Sequence, residues 1–215
     1  MTRLRRERGV AFGYALLAAL LAGCGGTSTP VSASPAQAPA PSSSFRLTSQ
    51  AVVDGGTLDP RFICKSQTGL PTETNPPLTW SGAPSGTVGF VILMSTVAND
   101  GGQRVTKYNW VLYDIPASAT GVAENNTVIV SGNTGTTVVG TPGLSSDGPQ
   151  LTYSPPCSPR GSGLRTYTFT IYAVSRLPVF AFNRVPGAGG DGANLAAALP
   201  GVALAQASLS ASFTF

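Results

Sequence analysis

Residues 166–174 read TYTFTIYAV. Tyr167, Phe169, Ile171 and Ala173 fall on one side of an extended chain, and Thr166, Thr168, Thr170 and Tyr172 on the other. Successive strand side chains point to opposite faces, so this alternation of β-favouring residues reads as a strand with one face in a core. The C-terminus repeats it, with Leu209, Ala211, Phe213 and Phe215 set against Ser210, Ser212 and Thr214. Phe90–Met94 is apolar without interruption, as for a strand covered on both faces. Tyr108–Ile115 reads as another strand, stopped by Pro116, which has no N–H for the ladder. Gly and Pro clusters punctuate the rest. The best helix candidate is Asn194–Leu199, with Asn194 as its N-cap and Pro200-Gly201 as its end. The fold class predicted is mainly β and antiparallel, with a few short helices.

Upstream of these strands the chain changes character twice. Arg3, Arg5, Arg6 and Arg8 precede an apolar run, Val10–Leu21, that is shorter than the ~20 residues a membrane span needs and fits a signal-peptide core. Leu21-Ala22-Gly23-Cys24 then matches the lipobox of bacterial lipoproteins, whose cysteine thiol accepts a diacylglycerol. Residues 25–44 are Gly, Ser, Thr, Ala, Gln, Val and Pro, too poor in large apolar groups to offset their ordering entropy. The organisation predicted is a leader at 1–23, a lipidated Cys24 with a linker to residue 44, and one domain at 45–215. Such a protein is lipid-anchored to the bacterial cell membrane or outer membrane, with its domain outside the cytoplasm. Gly25 is not the aspartate that retains lipoproteins in an inner membrane.

The leader holds four of the 13 basic residues and one of the nine acidic ones, leaving 9 and 8 in the remainder. The mature chain is thus nearly neutral, which gives no support for nucleic acid as a partner. There is no histidine. That excludes His metal sites, Ser-His-Asp and Cys-His catalysis, and the residue most used as general acid or base. With Cys24 lipidated, Cys64 and Cys157 remain; in an oxidising compartment they form a disulfide or stay as two separate buried thiols.

Seven blocks in order resemble the phosphatidylethanolamine-binding-protein family, in its bacterial Raf-kinase-inhibitor-like (YbhB/YbcL) branch. Phe45-Arg-Leu-Thr-Ser49 resembles the opening strand, and Asp54-Gly-Gly-Thr-Leu-Asp-Pro60 with Phe62-Ile-Cys64 the "dG..ip..ytC" segment. Asn75-Pro-Pro-Leu-Thr-Trp-Ser-Gly-Ala-Pro84, continued by Gly86, Thr87 and Phe90, resembles "SPPLsWsgvP". Asn109-Trp-Val-Leu-Tyr-Asp-Ile-Pro116 resembles "HWvvynIP". Tyr153-Ser-Pro-Pro-Cys-Ser-Pro159, Gly161 and Tyr167–Ala173 resemble "Y.GPCPP.G..HrY.ftlyAl", and Gly201–Ala207 resembles "GHvLAqA". The resemblance implies an antiparallel β-sandwich with a small anion pocket for phosphate or phospholipid head groups. It also implies that the blocks carrying Cys64 and Cys157 meet around that pocket.

The pocket positions depart from the family pattern. The two aspartates of its "DPDAP" motif fall on Thr96 and Ala98, and the histidine of "HW" on Asn109, next to Trp110. The glycine of "GPCPP" falls on Pro155, followed by Pro156 and Cys157, which removes a backbone donor. The histidine of "HRY" falls on Arg165 (Leu164 if the gap moves), two residues before Tyr167, and the terminal histidine on Val202. Asn109 keeps hydrogen-bonding capacity, and Arg165 is either a solvated surface residue or an anion clamp. Trp80 and Trp110 read as core aromatics; Tyr167 serves packing and pocket equally well.

The expectation is a noncatalytic binding domain with a remodelled pocket. The alternative is an envelope protein-interaction or inhibitor module whose pocket is a relic. An enzyme is disfavoured: no nucleophile has a histidine base, and Asp114 and Asp147 are the only acids near the pocket blocks. No cofactor and no metal are expected. The partners expected are the membrane, through lipid on Cys24, and a small ligand or an envelope protein.

Overall fold

The computed structural model describes residues 44–70, 74–126, 139–147, 153–181 and 190–215. The leader, Cys24 and the linker up to residue 43 lie outside the described residues. Among the described residues, nine strands form two sheets. A three-stranded sheet runs in the order β1 (Arg46–Thr48), β3 (Leu78–Ser81), β6 (Gly121–Val122). A six-stranded sheet runs β2 (Gly56–Thr57), β9 (Ala203–Thr214), β8 (Leu164–Val174), β4 (Gly89–Asp100), β5 (Gln103–Pro116), β7 (Thr141–Pro142). All pairings are antiparallel except β2 with β9. The chain is therefore a mainly β sandwich with few helices.

Alternation sets which residues meet. Phe90, Ile92 and Met94 of β4, with Tyr167, Phe169, Ile171 and Ala173 of β8, point into a core shared with Leu47, Leu78 and Trp80 of the small sheet. Val91 and Leu93 point the other way, into a second core under Leu195, Leu199 and Val202. The uninterrupted Phe90–Met94 run thus reflects a strand buried on both faces. Fully burying each such side chain contributes roughly 1.5–3 kcal/mol.

The helix over the second core, α2, spans Gly190–Ala198, four residues earlier than the sequence suggests at its start. Asn194 lies inside it, and its amide donates to the Ala181 carbonyl at 2.8 Å. The start is tied instead by Asp191, whose carboxylate accepts from Leu144 N at 2.8 Å and whose N–H donates to Leu144 O at 2.9 Å. Gly192 sits against the Tyr108 ring so closely that a Cβ would collide with it. The end falls as expected, in a 3-10 turn at Leu199–Gly201. A short helix, α1 (Lys65–Thr68), follows Cys64. Among the described residues no helix is long and apolar enough to cross a membrane.

Candidate functional site

The site forms where β4, β5 and β8 end. Along β4 and β5, Met94 faces Trp110 and Ser95 faces Tyr108, so Asn109 is an extra residue without a register partner. A bulge of this kind turns a side chain off its regular face. Asn109 is buried, and its Nδ2 donates to Asp147 Oδ2 at 2.9 Å. A carboxylate only accepts, so the amide must turn its NH2 toward Asp147 and its Oδ1 away. That Oδ1 is buried without a hydrogen-bond partner among the described residues. Lys107 Nζ stands 3.9 Å from Asp147 Oδ1, with the two side chains 32% and 38% exposed, so the pair is loose and solvent-screened.

The Asn109 carbonyl accepts from Ser154 N at 2.8 Å, which fixes the segment holding Pro155, Pro156 and Cys157. Tyr153 sets its ring edge-on to Trp110, centroids 5.9 Å apart, and its hydroxyl donates to Phe62 O at 2.9 Å. Pro156 O accepts from Cys64 N at 3.1 Å, and Gln67 Nε2 donates to Ser158 O at 2.8 Å. Cys64 and Cys157 form a disulfide, with Cα atoms 5.4 Å apart. Of the two states open to these cysteines, the structure shows the bridged one. Residues 60–68 and 153–160 thus make one cross-linked wall. Burial holds the Tyr153 phenol well above its ordinary range, with Tyr167 nearby adding to the rise.

Tyr167 is buried on β8, opposite Thr96 of β4. Burial raises its phenol, Ser158 and the Arg165 charge pull it down, and Asp147 pushes it up. Ser158, Arg165 and Asp147 each act on the Tyr167 phenol. Arg165 shares the Tyr167 face of β8 and is half-buried. Its Nε is buried without an acceptor among the described residues. Beside it an open groove of about 380 Å³ is lined by Ser95, Thr96, Arg104, Arg165, Thr166 and Thr168, among others.

The structure therefore brings Asn109, Trp110, Pro155, Pro156, Cys157, Arg165, Tyr167 and Thr96 to one end of the large sheet. Thr96 has its hydroxyl engaged, donating to Thr166 O at 2.8 Å. Ala98 lies two residues further toward the hairpin, opposite Val105, and presents no polar group. Val202 is elsewhere: it packs in the second core and precedes Ala203, which faces Val174, whereas Tyr167 faces Ala211. That is roughly 25 Å away at the usual strand rise. Asp114 is also apart from Asp147, exposed at φ 52 between Tyr113 and Ile115. Of the two acids named beside the pocket blocks, Asp147 is the one that reaches this end, and Lys107 beside it belongs to no motif block. The available signal was that Asp147 is the only acid between Glu124 and Asp191. Among the described residues no group of three or more Cys, Asp or Glu is placed to hold a metal ion.

Comparison with known proteins agrees with this architecture. Residues 48–214 match the family described as phosphatidylethanolamine-binding protein. LppC of Mycobacterium tuberculosis, named as a lipoprotein, is 31% identical over 214 residues, covering 94% of this chain and 92% of LppC. Among solved structures, Escherichia coli YbcL, described as a member of the mammalian PEBP family, superposes with a TM-score of 0.61 at 22% identity, over 80% of this chain and 98% of YbcL. The PEBP homologue CT736 of Chlamydia trachomatis gives 0.59 at 21% identity, over 79% of this chain and 97% of that one. The match over nearly the whole domain, the fold, and the seven motif blocks in order assign this chain to the phosphatidylethanolamine-binding protein family.

Proposed function

We propose that this chain is an exported lipoprotein whose domain binds a small polar ligand, without catalysis, in a remodelled version of the family pocket. The anchor rests on the ordered leader ending at Cys24 and on the similarity to LppC, which extends over 94% of the chain. The ligand site rests on one observation: Asn109 Oδ1 and Arg165 Nε are both buried and, among the described residues, both without a hydrogen-bond partner. An unsatisfied buried polar atom costs about 1–3 kcal/mol, and a ligand that offers a donor to the amide and an acceptor to the guanidinium relieves both.

The charge pattern favours a ligand with no net negative charge. Asp147 holds the amide of Asn109 from one side and repels an anion arriving there. Catalysis lacks parts: the chain has no histidine, and Tyr153 and Tyr167 are phenols held neutral by burial. Native mass spectrometry of the chain beginning at residue 24, purified without detergent, tests this reading. A small co-purified molecule, absent from Arg165→Ala and Asn109→Leu, is expected. Its absence from every preparation would leave the protein-interaction module as the better description.

A further inference from the structure

The end of the sandwich opposite the ligand site carries an exposed apolar cluster. Val88 N donates to Val174 O and Ser175 N to Val202 O, each at 2.9 Å, which gathers the 84–88 loop, the 175–179 turn and the start of β9. Leu177 lies over Gly89, its Cδ2 3.4 Å from where a Cβ would stand, and Leu204 Cδ1 is 3.9 Å from the same point on Gly86. Phe180 turns inward, edge-on to Tyr113 with ring centroids 5.1 Å apart. Val179 is left projecting, 93% exposed, beside Leu177 at 50%, Val88 at 49% and Leu204 at 44%. Arg176 in the same turn is exposed and makes no ion pair among the described residues.

The chain enters the domain at this same end. Phe45 stacks on Phe90, the residue after Gly89, with ring centroids 6.0 Å apart, and Arg46 pairs with Ser81, which leads into the 84–88 loop. Residues 25–44 join this entry point to Cys24, so an anchor at Cys24 tethers the domain by this end. Thr96 and Tyr167 lie seven ladder positions beyond the Gly89–Val174 pair, roughly 23 Å toward the far end.

We propose that the end formed by Val88, Leu177, Val179 and Leu204, with Arg176, rests on the lipid surface and holds the ligand site away from it. This rests on the lipid-anchor reading. Apolar side chains enter the interfacial layer while the guanidinium meets lipid phosphates, and the flanking Arg46 adds a second cation.

The test uses the chain from residue 24 with its disulfide intact, so that the Cys24 thiol is the one available for coupling to a maleimide-bearing phosphatidylethanolamine. Vesicles of phosphatidylethanolamine and phosphatidylglycerol carry that lipid, and amide hydrogen exchange is read with and without coupling. Coupling is expected to slow exchange several-fold in residues 84–88 and 175–181, to leave the 97–104 hairpin unchanged, and to have no such effect in Val179→Asp. Unchanged rates at 175–181, or slowing at the hairpin instead, would overturn the proposal. Slowing in the uncoupled chain as its concentration rises would also overturn it, by showing that the end pairs with a second copy. Because coupling is chemical, the result does not depend on natural lipidation, which the mass of Cys24 in membrane-derived protein reads separately.

Discussion

The amide of Asn109 donates to the carboxylate of Asp147 at 2.9 Å from a bulge in β5, at the place where the family carries a histidine. Removing that amide separates binding from folding. Asp147 is partly exposed, so water replaces the lost donor, and Asn109→Leu also removes the orphaned Oδ1. Stability measured by urea unfolding is expected to change by no more than about 1 kcal/mol. Retention of a co-purified ligand is expected to be lost. A ligand held equally by the variant would place binding elsewhere.

The Cys64–Cys157 bridge joins residues 93 apart in sequence. Closing so long a loop restricts the unfolded chain, and the double variant Cys64→Ala/Cys157→Ala is expected to lose about 2–5 kcal/mol. Urea unfolding with and without reductant checks this. An unchanged midpoint in the double variant would show that the polar contacts of the 60–68 and 153–160 segments hold the wall alone.

Tyr153 donates its hydroxyl to Phe62 O inside the core. Tyr153→Phe leaves that carbonyl unpaired and is expected to cost about 1–2 kcal/mol near neutral pH. The phenol also sets an alkaline limit. Its folded pKa lies well above the ordinary 10.0, so the folded state keeps the proton after the unfolded state releases it. The stability is fully present below pH 10 and falls as pH rises through the window above it. Tyr153→Phe is expected to show a shallower fall, but not a flat one, because Tyr108, Tyr113, Tyr167 and Tyr172 are raised as well. Thermal unfolding over the alkaline range reads the difference.

The four long strands β4, β5, β8 and β9 were legible because burial imposes period two, as in Tyr167–Ala173, and an unbroken apolar run where both faces are covered, as in Phe90–Met94. The start of α2 was not, because Gly190, Asp191 and Gly192 are poor helix formers on their own. Tertiary contacts hold them: Leu144 on Asp191 and the close approach of Gly192 to Tyr108. The site was legible only as far as motif alignment reached. Asn109 and Tyr167 lie toward the same end of the large sheet, but the bulge that aims Asn109 leaves no mark in the sequence. Val202 was assigned by motif alone, and the register of β8 with β9 carries it to the other end of the sheet.

Cys24→Ala is expected to release the protein from the membrane fraction into the soluble one, since the domain's described residues contain no spanning helix. Fractionation of cells followed by intact-mass analysis checks it. Membrane-derived protein with an unmodified Cys24 would sink the lipid anchor.

Calorimetry of the chain beginning at residue 24, with inorganic phosphate and with phosphorylethanolamine near neutral pH, tests the remodelled pocket most directly. An anion leaves water only where donors replace its hydration, and an exposed charge pair contributes about 0–1 kcal/mol. Asp147 stands against the anion, Thr96 has its hydroxyl engaged, Ala98 is apolar, Val202 is remote, and Arg165 is the cation whose charge acts on Tyr167. The expected result is a dissociation constant of about 1 mM or weaker for both ligands, a binding energy of only about 4 kcal/mol. A constant in the low micromolar range, abolished by Arg165→Ala, would contradict it and show a working phosphate site.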